Sequence, residues 1–133
     1  MKKVLFVVLF LTLFVMTACD DKTNGVASPD SMPAEYVGKT NPLGADAASA
    51  GAEIFKTDCA ACHGETGHGD GSAGVGLYPA PKNLAELQTR VSDDYLFWRI
   101  NTGKDGTAMV SWKGILTEEQ IWQVISFLHT LQN

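Results

Sequence analysis

Basic residues, cysteines and long apolar runs are all scarce in this chain, and each shortage removes a class of function. Its 133 residues leave room for one domain of ordinary size and not for a second domain closing over a large substrate cleft. Ten Lys and Arg stand against fifteen Asp and Glu, a formal net charge of −5; without the first 18 residues, which hold Lys2 and Lys3 and no acid, the balance falls to −7. Phosphate backbones are gripped by Lys and Arg that release counterions, so this sign excludes nucleic acid and favours a protein partner with a basic patch. Three cysteines cannot all pair. Two of them, Cys59 and Cys62, lie within one helical turn of sequence, which points to cofactor or metal chemistry and away from a disulfide framework. Strand signals are absent, and the glycine run that begins at Gly64 opens neither a Walker nor a Rossmann pattern.

The most apolar stretch covers positions 4–16, with Thr12 its one polar residue, behind Lys2 and Lys3. It is too short for a hydrocarbon core that needs about 20 residues, and its length suits the apolar region of a secretory signal. The small pair Thr17-Ala18 directly before Cys19 resembles a bacterial lipobox, in which the cysteine is acylated and becomes the mature N-terminus. Two or three acyl chains on Cys19 would hold the protein stably at a membrane surface. The alternative is a plain signal peptide or an uncleaved anchor with Cys19 incidental. Asp20, next to that cysteine, resembles a retention signal for the inner membrane.

Residues 19–44 are rich in Pro, Gly, Ser, Thr, Asn and Asp and poor in aliphatic side chains, which predicts a lipidated N-terminus followed by a flexible tether. As a random coil it would reach roughly 25–30 Å. A tail that packs on the domain through Tyr36 and Leu43 is the other reading.

Residues 45–133 form the folded unit. A first helix is expected over 45–62, with Asp46 as N-cap and Gly51, Phe55, Cys59 and Cys62 on one face. A second runs over 92–101, capped by Ser92 and stopped by Gly103, with Asp93 and Asp94 in its first turn. The last opens on the capping box Thr117-Glu118-Glu119-Gln120, and Ile121, Val124, Ile125, Leu128 and Leu131 fall on one helical stripe. A short turn of helix is expected over 83–88. Between the first helix and that turn, six glycines and two prolines fall within residues 64–81, a loop that loses much backbone entropy on ordering and needs something to wrap around.

Cys59-Ala60-Ala61-Cys62-His63 is C-x-x-C-H, the attachment signature of c-type haem. Two sulfurs at i and i+3 can each reach a vinyl group on one porphyrin edge, and the histidine beside them can present Nε2 to iron. Three other readings compete. A zinc site would have only His68 and His129 to add, at no zinc-finger spacing. A thioredoxin-like dithiol belongs in a βαβ pattern, and a Cys59–Cys62 disulfide would close a strained loop on a helix.

Residues 45–133 as a whole resemble a class I mono-haem cytochrome c. The residues that carry this are Gly51-x-x-x-Phe55, Cys59-Ala-Ala-Cys-His63, Gly67-His-Gly-Asp-Gly71, Tyr78-Pro-Ala-Pro81, Trp98-Arg-Ile-Asn-Thr-Gly103, Ala108-Met109 and Ile121-Trp-Gln-Val-Ile-Ser-Phe-Leu128, in that order. The resemblance implies an all-α fold in which the first and last helices cross and loops wrap one covalently bound haem c. Gly51 and Phe55 are then expected against Phe127. It implies Cys59 and Cys62 as the thioether positions and His63 as an axial ligand. The side chains of Met109, His68, His129 and Met32 are available as the second, and the family pattern favours Met109, in the loop before the last helix. A proline usually follows that methionine; here Val110 does. Family likeness also implies that His63 donates its other ring N–H to a proline carbonyl, Pro81 being the choice over Pro79. His68 and His129 read as solvated surface residues, and Trp98, Trp112 and Tyr95 as core or haem-wall aromatics.

With both axial positions filled, iron has no open site for substrate, and thioether ligation raises its potential. The expected function is electron transfer, not catalysis, by a lipid-anchored carrier in the bacterial periplasm or on the outer face of the cell membrane, a monomer or part of a complex. Two alternatives are a haem c subunit of a membrane-bound respiratory or dehydrogenase complex, and a haem peroxidase or gas sensor with a displaceable methionine.

Overall fold

A computed structural model describes residues 32–132. The leader, Cys19 and the first part of the expected tether lie outside the described residues. Among the described residues the regular structure is helical, with an isolated bridge between Lys113 and Leu116 and no strand. A 3-10 turn, Ala45–Ala47, leads into α1 (Ala48–Asp58), followed by α2 (Ala60–His63), a 3-10 turn at Ser72–Gly74, α3 (Leu84–Leu87), α4 (Asp93–Thr102) and α5 (Glu118–Leu128). This is the expected all-α arrangement.

The stripe on α5 is buried as its spacing requires: Ile121, Val124, Ile125 and Leu128 are all in the core, and Leu131 packs against it from just past the helix end. The capping box is complete, with the Gln120 N–H donating to Thr117 Oγ1 at 3.1 Å and the Thr117 N–H to Gln120 Oε1 at 2.9 Å. α1 crosses α5 at Gly51. A Cβ there would lie 1.9 Å from the Gln123 carbonyl oxygen, so only glycine allows the backbones to come this close. Beside the crossing, the Phe55 and Phe127 rings sit 5.1 Å apart, as the family pattern implies. α4 closes the third side of the core through Phe97, whose ring is 4.4 Å from that of Trp122. Full burial of residues of this size contributes about 1.5–3 kcal/mol each, which makes this cluster the main source of stability.

Three expectations about the helices need correction. The helix expected over 45–62 is interrupted at Cys59, where φ is −118°, although the Cys59 N–H still reaches the Phe55 carbonyl at 2.9 Å. Asp46 is not its N-cap: Ala47 caps α1 and Gly44 the 3-10 turn, neither with a side-chain bond, and Asp46 sits inside that turn. At α4, Ser92 has the extended backbone of an N-cap, but its hydroxyl bonds to the Asp94 carboxylate, and that carboxylate accepts the Tyr95 N–H at 2.7 Å. A carboxylate in the first turn outcompetes the hydroxyl because its bonds are charge-assisted.

The fourth correction concerns the tether. Residues 32–44 are a strap laid on the domain, the reading in which Tyr36 and Leu43 pack. Tyr36 is buried in the core, and Leu43 and Met32 pack against it. The Gly38 N–H donates to Asp94 Oδ2 at 2.8 Å, Asn41 Nδ2 to Ser126 Oγ at 2.9 Å, and Asn101 Nδ2 to the Tyr36 hydroxyl at 2.8 Å. Lys39 Nζ lies 5.2 Å above the Phe97 ring. One aromatic and a handful of polar bonds hold a segment whose composition alone reads as linker.

Candidate functional site

The C-x-x-C-H segment is held as one turn of helix. The His63 N–H donates to the Cys59 carbonyl at 2.9 Å and the Cys62 N–H to the same oxygen at 3.1 Å, so the two thiols share a side of the turn. Both are free and half-buried. Burial, with the Asp58 charge and Cys62 adding, pushes the Cys59 thiol up to about 12. Among the described residues, no three His, Cys, Asp or Glu side chains gather as metal ligands.

His63 is fixed through Nδ1, which lies 3.1 Å from the Lys82 carbonyl oxygen. That oxygen can only accept, so Nδ1 carries the proton and Nε2 keeps its lone pair. Burial lowers the imidazole's basicity below its ordinary value, with the bond to Lys82 working in the opposite direction, and the neutral form is the one that ligates. The acceptor is Lys82, not Pro81. The Pro81 carbonyl is turned toward Gly69, where a Cβ would come within 2.6 Å of its oxygen, and the Pro81 ring lies against Gly74. Gly69, at φ +83°, lets the loop fold back so that its N–H reaches the His63 carbonyl at 2.7 Å. The Gly71 N–H donates to the Cys62 carbonyl at 3.2 Å, and the Leu84 N–H to the Gly67 carbonyl at 2.6 Å. The glycine loop therefore wraps α2 itself and brings the 81–84 segment to His63.

Met109 is half-buried on the loop between α4 and α5. Its N–H donates to Thr107 Oγ1 at 3.1 Å and its carbonyl accepts the Lys104 N–H at 2.9 Å. The other possible axial side chains have different engagements. His68 is exposed, with Nδ1 2.8 Å from Thr66 Oγ1. His129 is exposed between Asp93 Oδ1, at 2.8 Å, and Gln88 Oε1, at 3.1 Å. Met32 packs on the core from the strap. Trp98 is buried under the Arg99 guanidinium, 3.6 Å from its ring, and meets Tyr95 edge-on at 5.9 Å.

These residues fit a covalently held haem on a separate ground. Val75 and Tyr78, in the loop between α2 and α3, are 81% and 97% exposed, and Val110 and Ile115, in the loop that carries Met109, are exposed as well. A large apolar ring system seated among these loops would cover surface that otherwise faces water. Sequence reasoning missed Lys82, because a backbone carbonyl has no residue signature.

Comparison with known proteins agrees with this geometry. The family described as cytochrome C oxidase, cbb3-type, subunit III matches residues 46–128. Cytochrome c6 of Thermosynechococcus vestitus is 34% identical over 86 residues, covering 65% of this chain and 70% of that protein. Cytochrome c6 of Synechococcus elongatus is 33% identical over 78 residues, 59% and 83% of the respective lengths. Among solved structures, a chain of the Kuenenia stuttgartiensis reducing HAO-like protein complex superposes with a TM-score of 0.59 at 24% identity, over 69% of this chain and 47% of that one. Cytochrome cL of Methylophaga aminisulfidivorans gives 0.52 at 23% identity, over 65% and 54%. This chain thus spans about half the length of those two, and at such identities they speak for the fold alone. With a single C-x-x-C-H segment to attach one haem c and its iron, the chain belongs to the c-type cytochromes, in the family described as cytochrome C oxidase, cbb3-type, subunit III, and is a mono-haem electron-transfer protein that works between redox partners.

Proposed function

We propose that Cys59 and Cys62 would carry the haem thioethers, that His63 and Met109 would hold its iron, and that the protein shuttles electrons while anchored by acylated Cys19 in the bacterial cell envelope. The observation that supports the His63 assignment is the 3.1 Å contact of its Nδ1 with the Lys82 carbonyl oxygen, which leaves Nε2 for iron; Met109 rests on the family pattern. When bound, the haem supplies a one-electron ferric/ferrous couple. The chain's own residues keep that site rigid. Lys82 orients the imidazole, the glycine loop bonds back onto the turn that carries it, and Thr107 with Lys104 fixes the backbone on either side of the Met109 side chain. Residues 1–18 act as the leader, and the acidic surface selects partners with a basic docking patch. Among the described residues no helix is long and apolar enough to cross a membrane.

The test is the ferric spectrum of the haem-loaded protein with and without Met109→Ala. Wild type shows a thioether-to-iron charge-transfer band and resists external ligands; Met109→Ala loses the band and binds imidazole readily. A wild type that lacks the band and binds peroxide or carbon monoxide freely is the enzyme or sensor instead. Mass spectrometry of the mature protein, with Cys19→Ala as control, reads the acyl chains. The family description favours one second reading, a haem subunit of a membrane-bound complex. Extraction in mild detergent separates the two, since a shuttle emerges alone and a subunit with its partners.

A further inference from the structure

The last turn of α4 is held from two directions. On one side, the segment that follows Met109 caps it: the Ser111 hydroxyl donates to the Asn101 carbonyl at 2.7 Å, the Lys113 N–H to the same oxygen at 3.0 Å, and the Trp112 N–H to the Ile100 carbonyl at 3.2 Å. These are carbonyls that a helix C-terminus leaves without intrahelical partners, and they are presented only while the turn stays helical. On the other side, Asn101 donates through Nδ2 to the Tyr36 hydroxyl at 2.8 Å, a contact that spans 65 positions and is the strap's hold on that turn. Tyr36 is buried, its ring 6.2 Å from that of Phe97. Asn101 thus joins the strap to the methionine loop, its side chain serving one and its carbonyl the other.

We propose that Tyr36 and Asn101 are positioning residues for the Met109 loop: the strap's hydroxyl keeps the end of α4 helical, and that end in turn holds residues 111–113 and with them the methionine. The inference rests on the Met109 reading given above. Helix ends fray and surface loops open locally at low cost, so a bond that stabilises the closed turn lowers the population in which the loop lifts away. It also accounts for Val110. Where the family's proline would stiffen the loop, this chain restrains it from outside through bonds to α4 and, behind α4, to the strap. The residues act through backbone placement.

The experiment is imidazole titration of the ferric haem-loaded protein for wild type, Tyr36→Phe, Asn101→Ala and the double variant. Phenylalanine keeps the ring against Phe97 and removes only the hydroxyl. Loss of one part-buried hydrogen bond should tighten apparent imidazole binding by about two- to tenfold. The double variant should resemble the singles, because both remove the same bond. Exchange of the Trp112 and Lys113 amide protons in the reduced protein should quicken by a similar factor. If wild type shows the thioether band but Tyr36→Phe binds imidazole and exchanges those amides as wild type does, the inference fails alone. If wild type lacks the band, the Met109 assignment fails and the inference with it. Strictly additive single and double variants also overturn it, since the two side chains would then act separately.

Discussion

Replacing Gly51 by alanine sets two effects of opposite sign against each other, and the structure decides between them. Alanine is the better helix former by about 1 kcal/mol, so propensity alone would make the substitution stabilising in α1. The new methyl, however, would stand 1.9 Å from the Gln123 carbonyl oxygen and 2.4 Å from its carbon, whereas ordinary contact begins near 3.4 Å. The obstructing atoms are backbone inside α5 and cannot rotate aside. Relief requires the helices to part by about 1.5 Å, which would also loosen the Phe55–Phe127 contact next to the crossing. Overpacking of this kind costs about 3 kcal/mol, at the upper end of the usual range because nothing flexible absorbs it. The net expectation is a loss of about 2 kcal/mol, or about 8–16 °C in Tm for a domain of this size. Thermal unfolding of the haem-loaded protein, followed by far-ultraviolet circular dichroism, measures it. A Gly51→Ala variant as stable as wild type, or more so, would mean that the close crossing of α1 and α5 is absent and propensity governs the site.

Asp94 ties the strap to α4. The Ser92 hydroxyl, ahead of the Gly38 and Tyr95 amides, holds its carboxyl below the ordinary carboxylate value, with burial opposing. A depressed folded value means that the stabilisation is complete above the ordinary carboxylate range, about pH 4, and is lost as pH falls through the lower folded value. Asp94→Ala should therefore cost about 2 kcal/mol near neutrality and flatten the acid limb of the stability curve, measured by denaturant unfolding across pH; equal acid limbs in the two proteins would contradict this. Thr117→Ala removes the hydroxyl acceptor of the capping box on α5 and should lower stability by about 1 kcal/mol in the same assay, with no change in the haem spectrum.

The parts of this protein that repeat with a local period, or that depend on the identity of neighbouring side chains, are readable from the chain alone. The α5 stripe, the Thr117 box, the stop at Gly103 and the placing of Cys59, Cys62 and His63 on one turn all belong here, because each concerns residues within a few positions of one another. The meeting of Phe55 with Phe127 was legible only through family likeness, since nothing local joins the two ends of the domain, and Gly51, expected against the same ring, meets the Gln123 backbone instead. Tertiary structure alone decided that residues 32–44 are a strap and that Lys82, not Pro81, holds His63. The strap's bonds join positions 56, 65 and 85 residues apart, and the bond to His63 ends on a backbone oxygen that every residue possesses. Composition describes what a segment is made of; which distant donor finds which carbonyl depends on how the chain closes in space.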